Sequence, residues 1–119
     1  MEKLFLALQP EFGHPTSLWA DNVPFPRRKI RVVTFPDELG LSSELSEKVL
    51  QWTRYWAKNF INREDLPNGR PMWKNGSDVE AWVAQGNDIE LSLISELPDY
   101  QLHSRWSSYA KNPRFVDSD

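Results

Sequence analysis

A chain of 119 residues with 39% hydrophobic content has material for one core and too little for two, so a single domain over residues 1–119 is expected. Six tryptophans, six phenylalanines and three tyrosines exclude the disordered class despite nine prolines and a mean hydropathy of −0.61. The absence of cysteine excludes disulfides and thiolate metal sites and points to the cytoplasm, while a net charge of −3 gives no global attraction to nucleic acid.

The opening "MEKLFLALQP" holds five consecutive apolar residues, too few for a signal-peptide core or a membrane span, and the alternation of Leu4, Leu6 and Leu8 predicts a strand. A second strand is predicted at "KIRVVTF", residues 29–35. Between the two, "QPEFGHPTSLWADNVPFPRR" contains four prolines and a glycine, which predicts an irregular surface segment anchored by Phe12, Leu18, Trp19 and Phe25. Its end begins "PRRKIR", the one concentrated basic run.

A helix follows Pro36, with Ser42 placed to cap it and Glu44 near the positive end of its dipole. At 100° per residue Leu45, Val49, Trp52, Trp56 and Phe60 form one stripe, opposite Glu47, Gln51, Arg54 and Lys58. Both tryptophans therefore belong to the core. The second helix is predicted from "SDVE", a Ser77 to Glu80 capping box, as far as Leu97, where Pro98 stops it. Its core stripe is Val79, Trp82, Gly86, Ile89, Leu93 and Leu97, flanked by Val83 and Ile94, and Gly86 marks a close crossing by another backbone. Its outer face carries Glu80, Ala84, Asn87, Asp88, Leu91 and Ser95. A last strand alternates Tyr100, Leu102, Ser104 and Trp106 with Gln101, His103 and Arg105, and "KNPRFVDSD" reads as a tail. The order predicts an α+β fold, a small antiparallel or mixed sheet with two helices packed on one face.

Enzyme signatures are scarce. The chain has no glycine-rich phosphate loop, no nucleophile elbow and no histidine pair at metal-ligand spacing. Asp78 with Glu80, and Asp88 with Glu90, are two apart on a helix and point about 200° away from each other, against a shared metal or proton. No catalytic residue, cofactor or metal is expected. The charge distribution is more informative: residues 75–104 carry Asp78, Glu80, Asp88, Glu90, Glu96 and Asp99 without one Lys or Arg. Such a one-signed stretch either solvates its helix or forms an acidic docking face.

At "SLWADN", "FPDELGLSSEL" and Trp52 the chain resembles a set of small bacterial immunity-type proteins that neutralise the toxins of polymorphic-toxin and contact-dependent growth inhibition systems. The likeness rests on Ser17, Leu18 and Trp19, on Pro36, Leu39, Leu41, Ser42 and Leu45, and on Trp82, Gly86 and "SELPDY", mainly fold-bearing positions over most of the chain. "VPFPRRKIRVVTF" departs from the pattern by being longer and more basic. The resemblance implies a cytoplasmic monomer whose partner is a cognate toxin domain with a basic, nuclease-type cleft, without direct contact to nucleic acid or membrane. Acidic docking residues expected on physical grounds are Asp78, Glu80, Asp88 and Glu90, with Leu91 beside them. Trp73, in the polar "NGRPMWKNGS", is either an exposed anchor for the partner or a plug onto the core. Two alternatives stand beside this: a small hydrolase or nucleotide-binding enzyme using Glu11, His14 and Asp21 of the proline-rich segment, and an adaptor without a toxin.

Overall fold

The computed structural model describes residues 3–26, 33–61, 72–111 and 115–116. In chain order the elements are β1 (Leu4–Leu8), β2 (Leu18–Ala20), a 3-10 turn (Pro36–Leu39), α1 (Ser43–Asn59), β3 (Phe60–Ile61), β4 (Met72–Lys74), α2 (Val79–Glu96), β5 (Tyr100–Ser104), a 3-10 turn (Ser107–Tyr109) and β6 (Phe115–Val116). The class is α+β, two helices with small mixed sheets. One sheet has the order β2-β1-β5 and the other β3-β4-β6. In each, the central strand has one antiparallel and one parallel neighbour. The parallel pairing of β1 with β5 requires a long crossover, which the two helices supply.

Alternation decides the faces of the first sheet. Leu6, Leu8, Leu18 and Tyr100 point into the core that the helices cover, while Phe5, Trp19 and His103 line the opposite face in register around Ala7. Ser42 caps α1 as expected, its hydroxyl accepting the Leu45 N–H at 3.2 Å, and all five residues of the α1 stripe are buried. On α2 the cap is one residue later than the sequence suggests. Asp78 accepts the Ala81 N–H at 3.0 Å, whereas the Ser77 hydroxyl donates to the Lys74 carbonyl and closes the turn before the helix.

The α2 stripe is buried throughout, and Gly86 serves an indole instead of a crossing backbone. A Cβ there would lie 2.8 Å from two ring carbons of Trp106 and 3.1 Å from Trp52. Trp106 stands edge-on to both Trp52 and Trp82, so the helix crossing is packed by three indoles in mutual contact.

Three expectations need correction. The proline-rich stretch is not wholly irregular, because Leu18–Ala20 pairs with Leu6–Leu8 as β2. The end of the chain is more than a tail, since Phe115–Val116 forms β6 beside β4. Of the strand expected at residues 29–35, residues 29–32 lie outside the described residues, as does most of "PRRKIR", and residues 33–35 form no strand.

Candidate partner-docking face

Helix α2 is a rigid platform because its inner stripe is locked by tryptophans, and its outer side is the surface that the acidic stretch was expected to form. The structure assigns most of those acids to internal duties. Asp78 is the helix cap. The Glu90 carboxylate accepts the Trp106 indole N–H and fixes that ring against Gly86. Glu96 reaches across to α1, one oxygen accepting the Ser42 backbone N–H and the other its hydroxyl, each at 2.7 Å. Asp88 accepts from the Lys48 ammonium at 3.2 Å, and Glu44 lies 3.5 Å from the same ammonium. The hydrogen bond to Asp88 is the chief reason that the Lys48 pKa is raised.

Trp73, one candidate anchor for a partner, is buried and cannot serve as one. At 1% exposure it plugs the core, with its indole N–H donated to the Tyr109 carbonyl at 2.8 Å and its ring edge-on to Phe60 and Trp82. The polar stretch around it gave no local sign of this, because burial comes from β4 pairing with Phe60 on one side and Phe115 on the other.

What remains outward on α2 is Glu80, Ala84, Gln85, Asn87, Leu91, Ile94 and Ser95, with Asp88 at one margin. Leu91 is 69% exposed, and Ile94, three residues on and predicted to flank the core, is 56% exposed. Residues three apart on a helix are neighbours, so these two form an apolar pair within an otherwise polar surface. Sequence reasoning missed Ile94; the available signal was its position within 60° of Leu91 on the helical wheel. Next to Asp88 a cavity of about 260 Å³ opens between the helices, lined by Lys48, Gln51, Gln85, Asp88 and Ile89.

The residues of the enzymatic alternative do not converge. Glu11 and Asp21 share a cleft of about 690 Å³ with Phe5, Gln9, Trp19 and Arg105 on the sheet face away from the helices. The Arg105 guanidinium lies over the Phe5 ring at 5.5 Å. His14 does not line that cleft; it is buried and stacked on Trp19, and burial lowers its pKa. Among the described residues no three His, Asp or Glu side chains gather in a way that could hold a metal ion, and no helix is long and apolar enough to cross a membrane.

The chain matches no family model, no curated protein and no solved structure.

Proposed function

We propose that this protein is an immunity-type inhibitor that binds a cognate bacterial toxin domain through the outer face of α2 and occludes its active site in the cytoplasm. The observation that carries the reading is the Leu91 and Ile94 pair, exposed on a helix whose other side is fixed by stacked indoles, with Glu80 and Asp88 on the same surface. An interface needs a few desolvated anchors and a rim that steers the partner in. Leu91 and Ile94 supply the anchors. Glu80, together with the group in which the Lys48 ammonium offsets only one of Glu44 and Asp88, supplies negative potential toward the basic rim of a phosphate-handling cleft, where opposite charge speeds encounter. The resemblance to immunity-type proteins supports the same reading. Its partner is a nuclease-type domain with an apolar depression beside a basic cleft, bound by one copy of this chain.

The test is co-expression with the toxin domain encoded beside it, followed by size-exclusion chromatography and a growth assay. A stoichiometric complex and restored growth are expected. Failure of both would remove the immunity reading.

One observation favours a second reading: Glu11 and Asp21 share a walled cleft with Trp19 and Arg105. A small enzyme built there would hydrolyse a nucleotide or ester, and Glu11→Gln would abolish turnover. Absence of turnover by the parent protein over a panel of such substrates counts against it.

A further inference from the structure

Residues 9–17, which join β1 to β2, are fixed at their ends by the Gln9 N–H on the Ser17 carbonyl, the Tyr109 hydroxyl on the Pro10 carbonyl and the Thr16 hydroxyl on the Thr34 carbonyl, and their middle is held through a histidine. The His14 ring is 6% exposed and stacks on Trp19 with centroids 4.1 Å apart. Its Nδ1 accepts the Ser17 backbone N–H at 3.1 Å. A neutral imidazole that accepts at Nδ1 carries its proton on Nε2, and this Nε2 is buried without a hydrogen-bond partner among the described residues. Ser17 is held in turn. Its φ is +61°, in the left-handed region that side chains other than glycine rarely occupy. Its hydroxyl lies 2.7 Å from the Thr53 hydroxyl of α1. Thr53 spends its one proton on the Val49 carbonyl, so Ser17 is the donor.

This arrangement has no place for a second proton on the ring. Protonation at Nδ1 would set two donors against each other across the Ser17 contact, and among the described residues the Nε2–H has no acceptor through which to share the new charge. Among the described residues no carboxylate faces the ring to compensate the charge. Helix α1 contributes Arg54 to the cavity that His14 lines, β2 contributes the Trp19 ring, and Glu11 of the same segment meets His14 through its backbone carbonyl. The same segment carries Phe12, 45% exposed, whose ring rests on Trp56 at 4.6 Å between centroids. The Trp56 indole N–H is likewise buried without a partner among the described residues.

We propose that residues 11–15, the middle of this connection, are an acid-released strap: protonation of His14 breaks its bond to Ser17 and lifts Phe12 from Trp56, while the bonds at Gln9, Pro10 and Thr16 stay in place. The strap shares no residue with the outer face of α2, so it stands independently of the docking proposal. Burial lowers the His14 pKa from its ordinary value of 6.5 in the closed form. The open form therefore binds the proton first, and closure is complete above the ordinary value and lost as pH falls through the lowered one.

The experiment is an NMR titration of the full chain from about pH 8 to about pH 5, across the range in which histidine changes charge. The His14 ring is expected to titrate below its ordinary value. The Ser17 amide, the Phe12 ring and the Trp56 indole should move with the same midpoint, while α2 amides stay fixed. In His14→Gln, whose amide oxygen can accept from Ser17 but does not titrate, the transition should vanish. Titration of His14 with the Ser17 and Trp56 signals unmoved would overturn the proposal, as would a transition that survives in His14→Gln. If that variant does not fold, co-titration or its absence in the parent protein decides the matter.

Discussion

The indoles of Trp52 and Trp82 lie face to face, 4.5 Å apart and 3° from parallel, and each donates its N–H to the other residue's backbone carbonyl, at 2.8 Å and 3.1 Å. The two helices are thus joined by a reciprocal pair of hydrogen bonds around a stacked aromatic contact. Neither polar group is left unpaired in the core, which is the condition under which tryptophan can be buried without penalty. Trp52→Ala should cost about 3–5 kcal/mol, the usual loss for a truncated core aromatic. Trp52→Phe keeps much of the stack but removes one donor, and should lose about 1–3 kcal/mol. Urea unfolding measures both. A Trp52→Ala curve that overlays the parent's would contradict the packing described.

Gly86→Ala tests the room left for Trp106. Alanine is the better helix former by about 1 kcal/mol, yet the added methyl would lie 2.8 Å from a ring whose N–H is tied to Glu90. A net loss of about 1–3 kcal/mol is expected, typical of overpacking. The loss should shrink in a Trp106→Phe background, where the encroaching ring atoms are gone. Equal losses in both backgrounds would show that the close approach is not the cause.

Glu96 joins the end of α2 to the start of α1. Removing its carboxylate in Glu96→Ala leaves the Ser42 N–H and hydroxyl without their present acceptor, and about 1 kcal/mol should be lost. Ser42→Ala removes the local cap as well as one of the two bonds to Glu96. The double variant should be less destabilised than the two single losses combined, because the residues share an interaction. Thermal unfolding of the four proteins in one cycle gives the coupling.

Glu80→Lys addresses steering. It is exposed and makes no hydrogen bond or ion pair among the described residues, so the melting temperature should stay within the small range usual for exposed substitutions. If the protein is the proposed inhibitor, its association with the toxin domain should slow, and the difference should narrow as salt is raised. Asp88 is the less clean choice, because reversing it sets a second cation against Lys48. Stopped-flow association at two salt concentrations is the measurement.

Much of the helical layer was legible because α1 and α2 each bury a continuous stripe at helical spacing, from Leu45 to Phe60 and from Val79 to Leu97. β1 and β5 were legible through their alternation, but their parallel pairing was not, since register between strands almost a chain apart leaves no local mark. β2, at three residues, is shorter than any reliable period and sits among prolines. The candidate site was legible as a face but not in its chemistry. Whether an acid faces solvent or performs an internal task depends on partners remote in the chain, as with Glu96 and Ser42 or Glu90 and Trp106. Trp73 shows the converse: a residue in a polar neighbourhood is buried because β3 and β6 arrive on either side of it.

The most direct test of the proposal that α2 docks a toxin domain is the affinity of Leu91→Ala/Ile94→Ala for the toxin domain that the proposal requires, measured by isothermal titration calorimetry alongside the melting temperature. Both side chains are exposed, so the fold should lose almost no stability. If they are the anchors of the interface, binding should weaken by about 2 kcal/mol or more, roughly thirtyfold in Kd. A variant that folds normally and binds the toxin domain with the parent's affinity would contradict the assignment of α2 as the docking face.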